Sequence, residues 1–249
     1  MMNHNPMKRT IMVSETFGPT VQGEGALIGK PTVFVRTGGC EFRCSWCDTL
    51  YAVLPEYKST WTPMTAEAVF AEVQRLSDRK PILVTLSGGN PAIQPLEPLI
   101  DLGHEHGYTF AIETQGSVAQ PWFAKLDYLT LSPKPPSSEQ TTRWERLDRC
   151  IAYAQLGEDG QSPHITLKVV VFDEKDFAYA RYVGERYPDI PLYLQAGNHT
   201  PPHLASEIDT AGILARLDWL IQRVNAEQWY SVTVLPQLHS LIWGNKRGV

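Results

Sequence analysis

Residues 32–49 read TVFVRTGGCEFRCSWCDT, in which an apolar run leads through two glycines into three cysteines. The β-branched and aromatic run Thr32–Thr37 predicts a buried strand. Cys40, Cys44 and Cys47 follow it with C-x3-C-x2-C spacing, so the loop that leaves the strand carries all three thiols. Thiolates this close in sequence can converge on one metal centre, and paired glycines relax the chain that wraps around it.

The cysteine spacing favours an iron–sulfur cluster over two alternatives. A disulfide would leave one thiol unpaired, and disulfides are rare in reducing compartments. Structural zinc needs four closed ligands, and no fourth Cys or His is close in sequence, although Cys150 or a distant His could supply one. A cluster held by three thiolates leaves one iron open to bind a reactant. We expect Cys150 to be a core thiol, because it lies on a helical pattern beside Leu147 and Ile151.

Composition and charge narrow the class of protein. The 249-residue chain is 43% hydrophobic and 20% charged, as in a globular domain. Its net charge of −5 argues against a surface that holds nucleic acid along the backbone. No stretch approaches the roughly 18 apolar residues of a membrane span, and no apolar run follows the basic residues of Met1–Arg9 to predict a secretory signal. We therefore expect a cytoplasmic protein without direct nucleic-acid or membrane contact.

Strand and helix patterns alternate along the chain, as in parallel βαβ units. The patterns predict strands at Thr32–Thr37, Ile82–Leu86, Tyr108–Glu113, Tyr128–Leu131, Ile165–Val171 and Leu192–Gln195. They predict helices at Ala66–Leu76, Leu96–His106, Arg143–Leu156, Asp173–Tyr187 and Glu207–Asn225. Six such strands suit an open doubly wound sheet or an incomplete (β/α) barrel. The Pro-rich stretch Ser132–Glu139 directly follows a strand, so we interpret it as a functional loop and predict one domain.

The cysteine motif, with the aromatic Trp46 before its last cysteine, resembles the radical S-adenosylmethionine (SAM) superfamily. The resemblance implies an α/β fold, an incomplete (β/α)6 TIM-like barrel. It also implies a [4Fe-4S] cluster whose fourth iron binds SAM and whose electron cleaves SAM to a 5′-deoxyadenosyl radical. Gly88-Gly89-Asn90 is similar to the superfamily's Gly-Gly-Glu-Pro motif, which binds the SAM amino group. Asn90 departs from it, because an amide cannot make the charge-assisted contact of a carboxylate.

Further segments, from about Val13 to the C-terminus, resemble the 7-carboxy-7-deazaguanine synthase family of queuosine biosynthesis. They are Thr20-Val21-Gln22-Gly23-Glu24-Gly25, Arg36, Cys47-Asp48-Thr49, Glu113-Thr114-Gln115-Gly116, Ser132-Pro133-Lys134, Gln195-Ala196-Gly197-Asn198 and Gln237-Leu238-His239. The resemblance implies a SAM- and Mg²⁺-dependent, lyase-type ring contraction of 6-carboxy-5,6,7,8-tetrahydropterin to 7-carboxy-7-deazaguanine and ammonia. Hydrogen leaves C6 of the pterin and returns after rearrangement, so SAM is regenerated.

The same resemblance implies which residues bind each component. The resemblance implies that Cys40, Cys44 and Cys47 bind the cluster. It implies that Thr49 binds Mg²⁺ directly and that Asp48 supports this ligand without binding the metal itself. Contacts to SAM are implied for Trp46, Asp48, Gly88, Gly89, Asn90, Glu113, Thr114, Ser132, Pro133, Lys134, Gln195, Ala196, Gly197 and Asn198. Contacts to the substrate are implied for Val21, Gln22, Gly23, Glu24, Arg36, Ser87, His239 and Val249.

Several of these residues also have an ordinary structural interpretation. Gln22 and Glu24 can recognise the amide–amidine edge of a pterin by paired hydrogen bonds, yet both could be solvated turn residues. Arg36 ends an apolar strand and needs an anionic partner, which is either a structural ion pair or a substrate carboxylate. A lone His such as His239 is often structural. In the family this His faces the substrate and the terminal segment closes over it, so Val249 or its carboxylate is expected to cap the pocket.

The sequence and the resemblance also predict a domain organisation and a set of partners. A single domain 1–249 is divided into a substrate-contacting segment 1–31, a partial barrel 32–200 and a C-terminal helix and closing segment 201–249. The family implies a homodimer and an electron donor such as flavodoxin or ferredoxin. Three alternatives remain open: a glycyl-radical-enzyme activase with the same cysteine motif, a non-catalytic zinc-binding interaction module, and a tRNA-binding modification enzyme, which the acidic balance disfavours.

Overall fold

The structure is a computed structural model that describes residues 10–157, 162–202 and 207–249. Its strands are β1 (Ile11–Val21), β2 (Pro31–Thr37), β3 (Thr62–Met64), β4 (Leu83–Gly88), β5 (Thr109–Thr114), β6 (Tyr128–Leu131), β7 (His164–Val171), β8 (Leu192–Ala196) and β9 (Val232–Leu235). Its α-helices are α1 (Ala66–Leu76), α2 (Glu97–Glu105), α3 (Trp144–Ala154), α4 (Glu174–Arg186), α5 (Thr210–Ala226) and α6 (Leu238–Trp243). Residues 1–9 of the expected substrate-contacting segment and 203–206 of the expected closing segment lie outside the described residues.

The strands form one sheet in the order β3-β1-β2-β4-β5-β6-β7-β8-β9. From β2 to β9 every neighbouring pair is parallel, which gives the partial barrel seven parallel strands. Within the described residues β3 and β9 are the two edges, so the sheet is open. All six predicted strands are present within two residues of their predicted ends. The α/β partial barrel expected from the sequence is confirmed.

Three strands were not predicted, and β1 matters most for the site. It pairs antiparallel with β2, and the register shifts between Val13 and Glu15 and again between Phe17 and Thr20. The second irregularity contains Gly18-Pro19, and proline is tolerated in strands at such bulges and at edges. This interrupted, half-polar sequence lacks the alternation that predicts a strand. As a result, the N-terminal segment belongs to the sheet and lies along β2.

The segment that follows β1 closes the amino-terminal end of the partial barrel. Leu27 is buried against Leu83 and Ala111, which lie near the beginnings of β4 and β5. A short 3-10 turn, Gly25–Leu27, contacts β8 from inside the sheet. This segment covers the interior at the amino-terminal end, and ligands bind at the carboxyl ends of the strands in barrels of this kind.

The helices cover the outer face of the sheet, as predicted. The side chain of Thr65 accepts a hydrogen bond from the Ala68 N–H at 3.3 Å and caps α1, whose buried face includes Val69 and Val73. Cys150 on α3 is fully buried and donates to the Gly116 carbonyl, which confirms a core thiol. No helix in the described ranges is long and apolar enough to cross a membrane.

The C-terminal segment folds back over the open end of the barrel. The Leu238 N–H donates to the Gly23 carbonyl at 2.9 Å, at the start of the unpredicted helix α6. Gly23 leaves room for the His239 ring, because a Cβ there would lie 2.6 Å from His239 Nδ1. Further on, Arg247 Nε donates to Glu15 at 2.8 Å and its guanidinium lies 3.7 Å from the Tyr51 ring centre. Both ends of the described chain thus meet at the same opening.

Candidate active site

A cavity of about 370 Å³ occupies the interior and open end of the barrel. The residues expected to bind the cluster, Mg²⁺, SAM or substrate that line it are Val21, Gln22, Glu24, Arg36, Cys40, Cys44, Trp46, Cys47, Asp48, Thr49, Ser87, Gly88, Gly89, Glu113, Thr114, Ser132, Lys134, Asn198, His239 and Val249. The expected residues outside its lining are Gly23, Asn90, Pro133, Gln195, Ala196 and Gly197. The structure therefore brings together residues from nearly the whole length of the chain.

The cluster loop, residues 38–49, is held on one side by the loop after β4. The Asn90 N–H donates to the Gly39 carbonyl at 2.7 Å, and the Gly89 N–H donates to Thr37 at 3.0 Å. A Cβ at Gly89 would lie 2.0 Å from the Gly39 carbonyl oxygen. Gly89 is therefore required for the backbone of one loop to contact the backbone of the other.

On its other side the cluster loop is held by the Pro-rich loop after β6. The Ser45 hydroxyl donates to the Ser137 carbonyl at 2.7 Å, and the Ser45 N–H donates to Ser138 at 3.2 Å. The Trp46 indole N–H donates to the Ser137 hydroxyl at 3.1 Å. The Pro-rich stretch therefore fixes the half of the cluster loop that contains Cys44 and Cys47.

The three thiols of the cluster loop are half-buried and free of disulfides. Burial raises the pKa of the Cys40, Cys44 and Cys47 thiols, and for Cys47 burial and the Asp48 carboxylate raise it to about 11. The Lys134 ammonium opposes this rise at Cys40 and Cys44. Thiols in such surroundings stay protonated until a metal binds and displaces the proton.

The donor set fits an iron–sulfur cluster better than a single zinc ion. Within the described ranges no three His, Cys, Asp or Glu side chains are placed to hold one metal ion. Three thiolates that bind three different irons are farther apart than ligands of one tetrahedral zinc, whose sulfurs each lie about 2.3 Å from the metal. Cys150, the one remaining cysteine, is buried against Gly116 in the core and does not reach the cavity.

Asn90 lies beneath the cavity floor and is fully buried. Its side-chain oxygen accepts from the Thr114 hydroxyl at 2.7 Å, and its side-chain nitrogen donates to the Glu41 carboxylate at 2.9 Å. Glu41 also accepts a short hydrogen bond from the Ser117 hydroxyl. Sequence patterns did not select Glu41, although it lies between two cluster cysteines. The structure thus places a carboxylate of the cluster loop beside the amide that replaces the motif's glutamate.

Two of the buried polar side chains that lack a hydrogen-bond partner among the described residues, Ser87 and Gln237, line the cavity. Both amide atoms of the fully buried Gln195 and the hydroxyl of Ser87 have no hydrogen-bond partner within the described residues. The same is true of Gln237 Oε1. Each such atom costs about 1–3 kcal/mol when it stays unpaired. A bound ligand would relieve this cost at Ser87 and Gln237, which line the cavity.

One end of the cavity carries the guanidinium groups of Arg36 and Arg247, together with the carboxylates of Glu15 and Asp48. Arg36 Nε donates to Glu15 Oε1 at 2.8 Å, and Arg247 donates to the other oxygen of the same carboxylate. Tyr51 adds a third donor at 2.7 Å. Arg36 is held charged, since its negatively charged surroundings raise its pKa despite burial. Among the described residues only Glu15 bonds the Arg36 guanidinium, and it does so through Nε, so the terminal nitrogens of Arg36 can bind an anion.

The opposite end of the cavity carries a net negative charge. Lys168 on β7 forms ion pairs with both Glu24 and Glu113. The Gln237 side chain donates to Glu24 at 2.9 Å, and His239 Nδ1 lies 3.8 Å from the same carboxylate. Burial would raise the pKa of Glu24, but the Lys168 ammonium overcomes this and lowers it to about 2. Lys168 was not selected from sequence, although a lysine inside an otherwise apolar strand was the signal for it. Gln237 belongs to a segment that carries the family resemblance, but no contact was assigned to it from sequence.

Comparison with known proteins agrees with this geometry. The Radical SAM superfamily model matches residues 34–150. The chain is 44% identical over 245 residues to the 7-carboxy-7-deazaguanine synthase of Bacillus subtilis (strain 168), covering 98% of this chain and 100% of the relative. The chain belongs to the 7-carboxy-7-deazaguanine synthase family. The synthase of Bacillus cereus is likewise 44% identical, over 96% of this chain and 99% of its own length.

Membership of the 7-carboxy-7-deazaguanine synthase family makes the chain a radical SAM enzyme of the lyase type, with a [4Fe-4S] cluster and SAM as its cofactors. It decides against the activase and zinc-module alternatives. The crystal structure of QueE from Escherichia coli superposes with a TM-score of 0.65 at 22% identity, over 92% of this chain and 95% of that one. That likeness confirms the fold.

Replacing Gly89 by alanine tests how the cluster loop is held in this family member. A Cβ at Gly89 would displace the Gly39 backbone, so Gly89→Ala is expected to bind less iron and acid-labile sulfide after anaerobic reconstitution. Gly29→Ala is the control for backbone strain alone: Gly29 has a φ of +81°, which an alanine adopts only with strain, but a Cβ there meets no atom within 4 Å. Circular dichroism checks that both variants fold. Full cluster content in folded Gly89→Ala would contradict the role given to this contact.

Proposed function

We propose that the chain converts 6-carboxy-5,6,7,8-tetrahydropterin into 7-carboxy-7-deazaguanine and ammonia, with a [4Fe-4S] cluster, SAM and Mg²⁺. The names of its relatives support the product, since proteins 44% identical to it over nearly their whole length are 7-carboxy-7-deazaguanine synthases. The observation that carries the proposal is that two guanidinium groups lie at one end of the cavity and a pair of carboxylates at the other. A carboxylated pterin has the matching asymmetry, with an anion at one end and N–H donors at the other.

The end with the two guanidinium groups would bind the substrate carboxylate. Arg36 reaches the cavity from the end of β2, and Glu15 fixes it through Nε, which leaves its terminal nitrogens for a bidentate contact. The rings of Phe17 and Phe34, stacked at 4.9 Å, form the adjacent wall and exclude water from this contact. The two earlier interpretations of Arg36 are therefore compatible, because the structural ion pair uses a different part of the guanidinium.

The negative end would bind the amide–amidine edge of the pterin. The Glu24 carboxylate can accept from ring and amino N–H groups, and Gln237 Oε1 has no partner among the described residues. The Gly23 N–H donates to Gln22 Oε1 at 2.8 Å, which turns the Gln22 side-chain NH2 toward a substrate acceptor. His239 stands beside Glu24 and would contact the same heterocycle.

SAM and Mg²⁺ would bind between these ends and the cluster loop. When bound, the cluster supplies an electron that cleaves SAM, and SAM supplies the group that removes a hydrogen atom from the substrate. Lys134 donates to the Ser132 hydroxyl at 3.1 Å, so both can orient a SAM carboxylate and ribose. Thr49 lines the cavity and would bind Mg²⁺, with Asp48 supporting it, because Mg²⁺ commonly takes few protein ligands beside water and substrate oxygens.

The expected partners form part of the same proposal. A one-electron donor such as flavodoxin or ferredoxin would reduce the cluster, and the chain would act as a homodimer in the cytoplasm. The substrate is a small free heterocycle, and the acidic net charge of −5 disfavours direct contact with nucleic acid. The product would then enter queuosine or another deazapurine pathway.

Anaerobic turnover tests the proposed reaction directly. Protein reconstituted with iron and sulfide, then supplied with reductant, SAM, Mg²⁺ and the carboxylated pterin, is expected to form the deazaguanine and ammonia, detected by mass spectrometry. Removal of Mg²⁺ with a chelator should lower the rate, and readdition should restore it. Protein with verified cluster content that forms no deazaguanine would refute the proposal.

Substitution of Arg36 tests the carboxylate-binding end. Arg36→Met is expected to raise KM for the pterin about 10- to 100-fold, the loss of a charge-assisted pair worth roughly 1.5–3 kcal/mol. Arg36→Lys should recover part of this, because a lysine keeps the charge but not the planar fork. Arg75→Met is the matched control, since Arg75 forms a similar ion pair with Glu72 on the surface of α1. A KM that Arg36→Met leaves at the wild-type value would contradict this role.

Shortening the C-terminus tests whether it covers the substrate. Gly248 and Val249 line the cavity, and the adjacent Arg247 attaches this tail to Glu15 and Tyr51. Deleting both terminal residues is expected to raise KM for the pterin several-fold while thermal stability changes little, because neither residue is buried in the core. Unchanged substrate affinity in the shortened chain would show that the tail has no part in binding.

A further inference from the structure

Lys168 is the most deeply buried charged side chain of the cavity, with 1% of its surface exposed. It lies in the middle of β7, between the buried Leu167 and Val169. Its stem runs through the barrel interior, where a Cβ at Gly25 would lie 3.7 Å from Lys168 Cδ. A lysine in such a position must have paired, hydrogen-bonded neighbours, because an unpaired ammonium is costly to bury.

The Lys168 ammonium joins three parts of the chain that are far apart in sequence. It forms ion pairs with Glu24, in the segment after β1, and with Glu113 at the end of β5, 2.5 Å away. Glu24 in turn accepts from Gln237 and faces His239, both of which belong to the C-terminal segment. The ammonium therefore stands at the point where the N-terminal segment, the barrel and the C-terminal segment meet.

Charge explains why a cation is needed at this point. Two carboxylates that share a buried site cannot both ionise unless a positive charge lies between them. Among the described residues, the charged side chains that bond the ammonium are Glu24 and Glu113, and the other titratable group facing Glu24 is His239. The lowered pKa of Glu24 and the raised pKa of Lys168 agree with this arrangement.

We propose that Lys168 is a positioning residue: its ammonium keeps Glu24 and Glu113 charged and fixed side by side, so that Glu24 meets the substrate as a carboxylate. This inference rests on the proposed function, in which Glu24 accepts hydrogen bonds from the pterin. A protonated Glu24 would present an O–H donor to a substrate N–H and lose that contact. The N–H groups of Lys168 bond the two carboxylates. Lys168 therefore affects the substrate only through Glu24 and Glu113.

The pH dependence of substrate binding in the cluster-loaded enzyme tests this proposal. In the wild type, KM for the pterin is expected to stay flat between about pH 6 and 8.5, because Glu24 is ionised throughout. In Lys168→Met, burial raises the pKa of Glu24, so KM should be about tenfold higher at the acidic end and recover as the pH rises. The effect should fall on KM more than on kcat, and Lys168→Arg should restore the flat profile.

Lys125→Met is the matched control for these measurements. Lys125 also joins two carboxylates, those of Glu97 and Asp101 at 2.9 Å each, but on the protein surface. Its loss should leave the pH profile of KM unchanged. If Lys168→Met fails to fold, Lys168→Gln takes its place, because glutamine keeps a donor for Glu24 without the charge.

A second readout needs no substrate. Without Lys168, burial raises the folded-state pKa of Glu24 above its unfolded value, so the stability that Glu24 contributes is present at low pH and is lost as the pH rises. The Tm difference between wild type and Lys168→Met, both cluster-loaded, is therefore expected to widen from about pH 6 to 8.5. It should widen less when Glu24→Gln is added to Lys168→Met.

The outcomes separate this proposal from the proposed function. Parallel KM profiles in wild type and Lys168→Met, or a Tm difference that is constant with pH, would overturn the role of Lys168. Failure of the wild-type holoenzyme to turn over the pterin would overturn the proposed function instead. In that case the Tm comparison still decides whether Lys168 keeps the two carboxylates charged.

Discussion

The site depends on one constraint: three thiols of a short loop must face the same cavity, and the loop cannot impose this by itself. Within the loop, the main local backbone bond joins the Cys47 N–H to the Cys44 carbonyl. The rest of its shape comes from the contact of Gly39 with Gly89 on one side and from Ser137 and Ser138 on the other. Both supporting loops follow parallel strands, so the sheet places them at the same end.

The charged side chains inside the barrel make the two ends of the cavity different. Two arginines share Glu15 at one end, while Lys168 is shared by two glutamates at the other. Lys168 and Glu24 are shielded from water, and shielded charges interact more strongly than charges in solution, whereas the Arg247 side chain is half exposed. A substrate with a carboxylate at one end and N–H donors at the other is oriented by these two sets without any movement of the barrel.

Sequence reasoning succeeded where local patterns determine structure, and it failed where distant contacts do. The six core strands and the cap at Thr65 follow from apolar periodicity and local hydrogen bonding, so both were predictable. The strand β1 was missed because Gly18-Pro19 interrupts its pattern, and a bulge against β2 accommodates that dipeptide. Glu41 was missed because its partner Asn90 is 49 residues away, and no local signal relates the two.

By itself, the sequence determined an α/β fold of parallel strands and three metal-binding thiols after the first of them, because strand periodicity and C-x3-C-x2-C spacing are local properties; the partial barrel was implied by the resemblance to a superfamily. Its ordered motifs also indicated the family. Only the tertiary structure decided that Glu24, Glu113 and Lys168 share one site and that Arg247 and Arg36 share Glu15. These groups are far apart in sequence, from the N-terminal segment, the barrel strands and the C-terminal segment, and only the packing of these parts against one another brings them into contact.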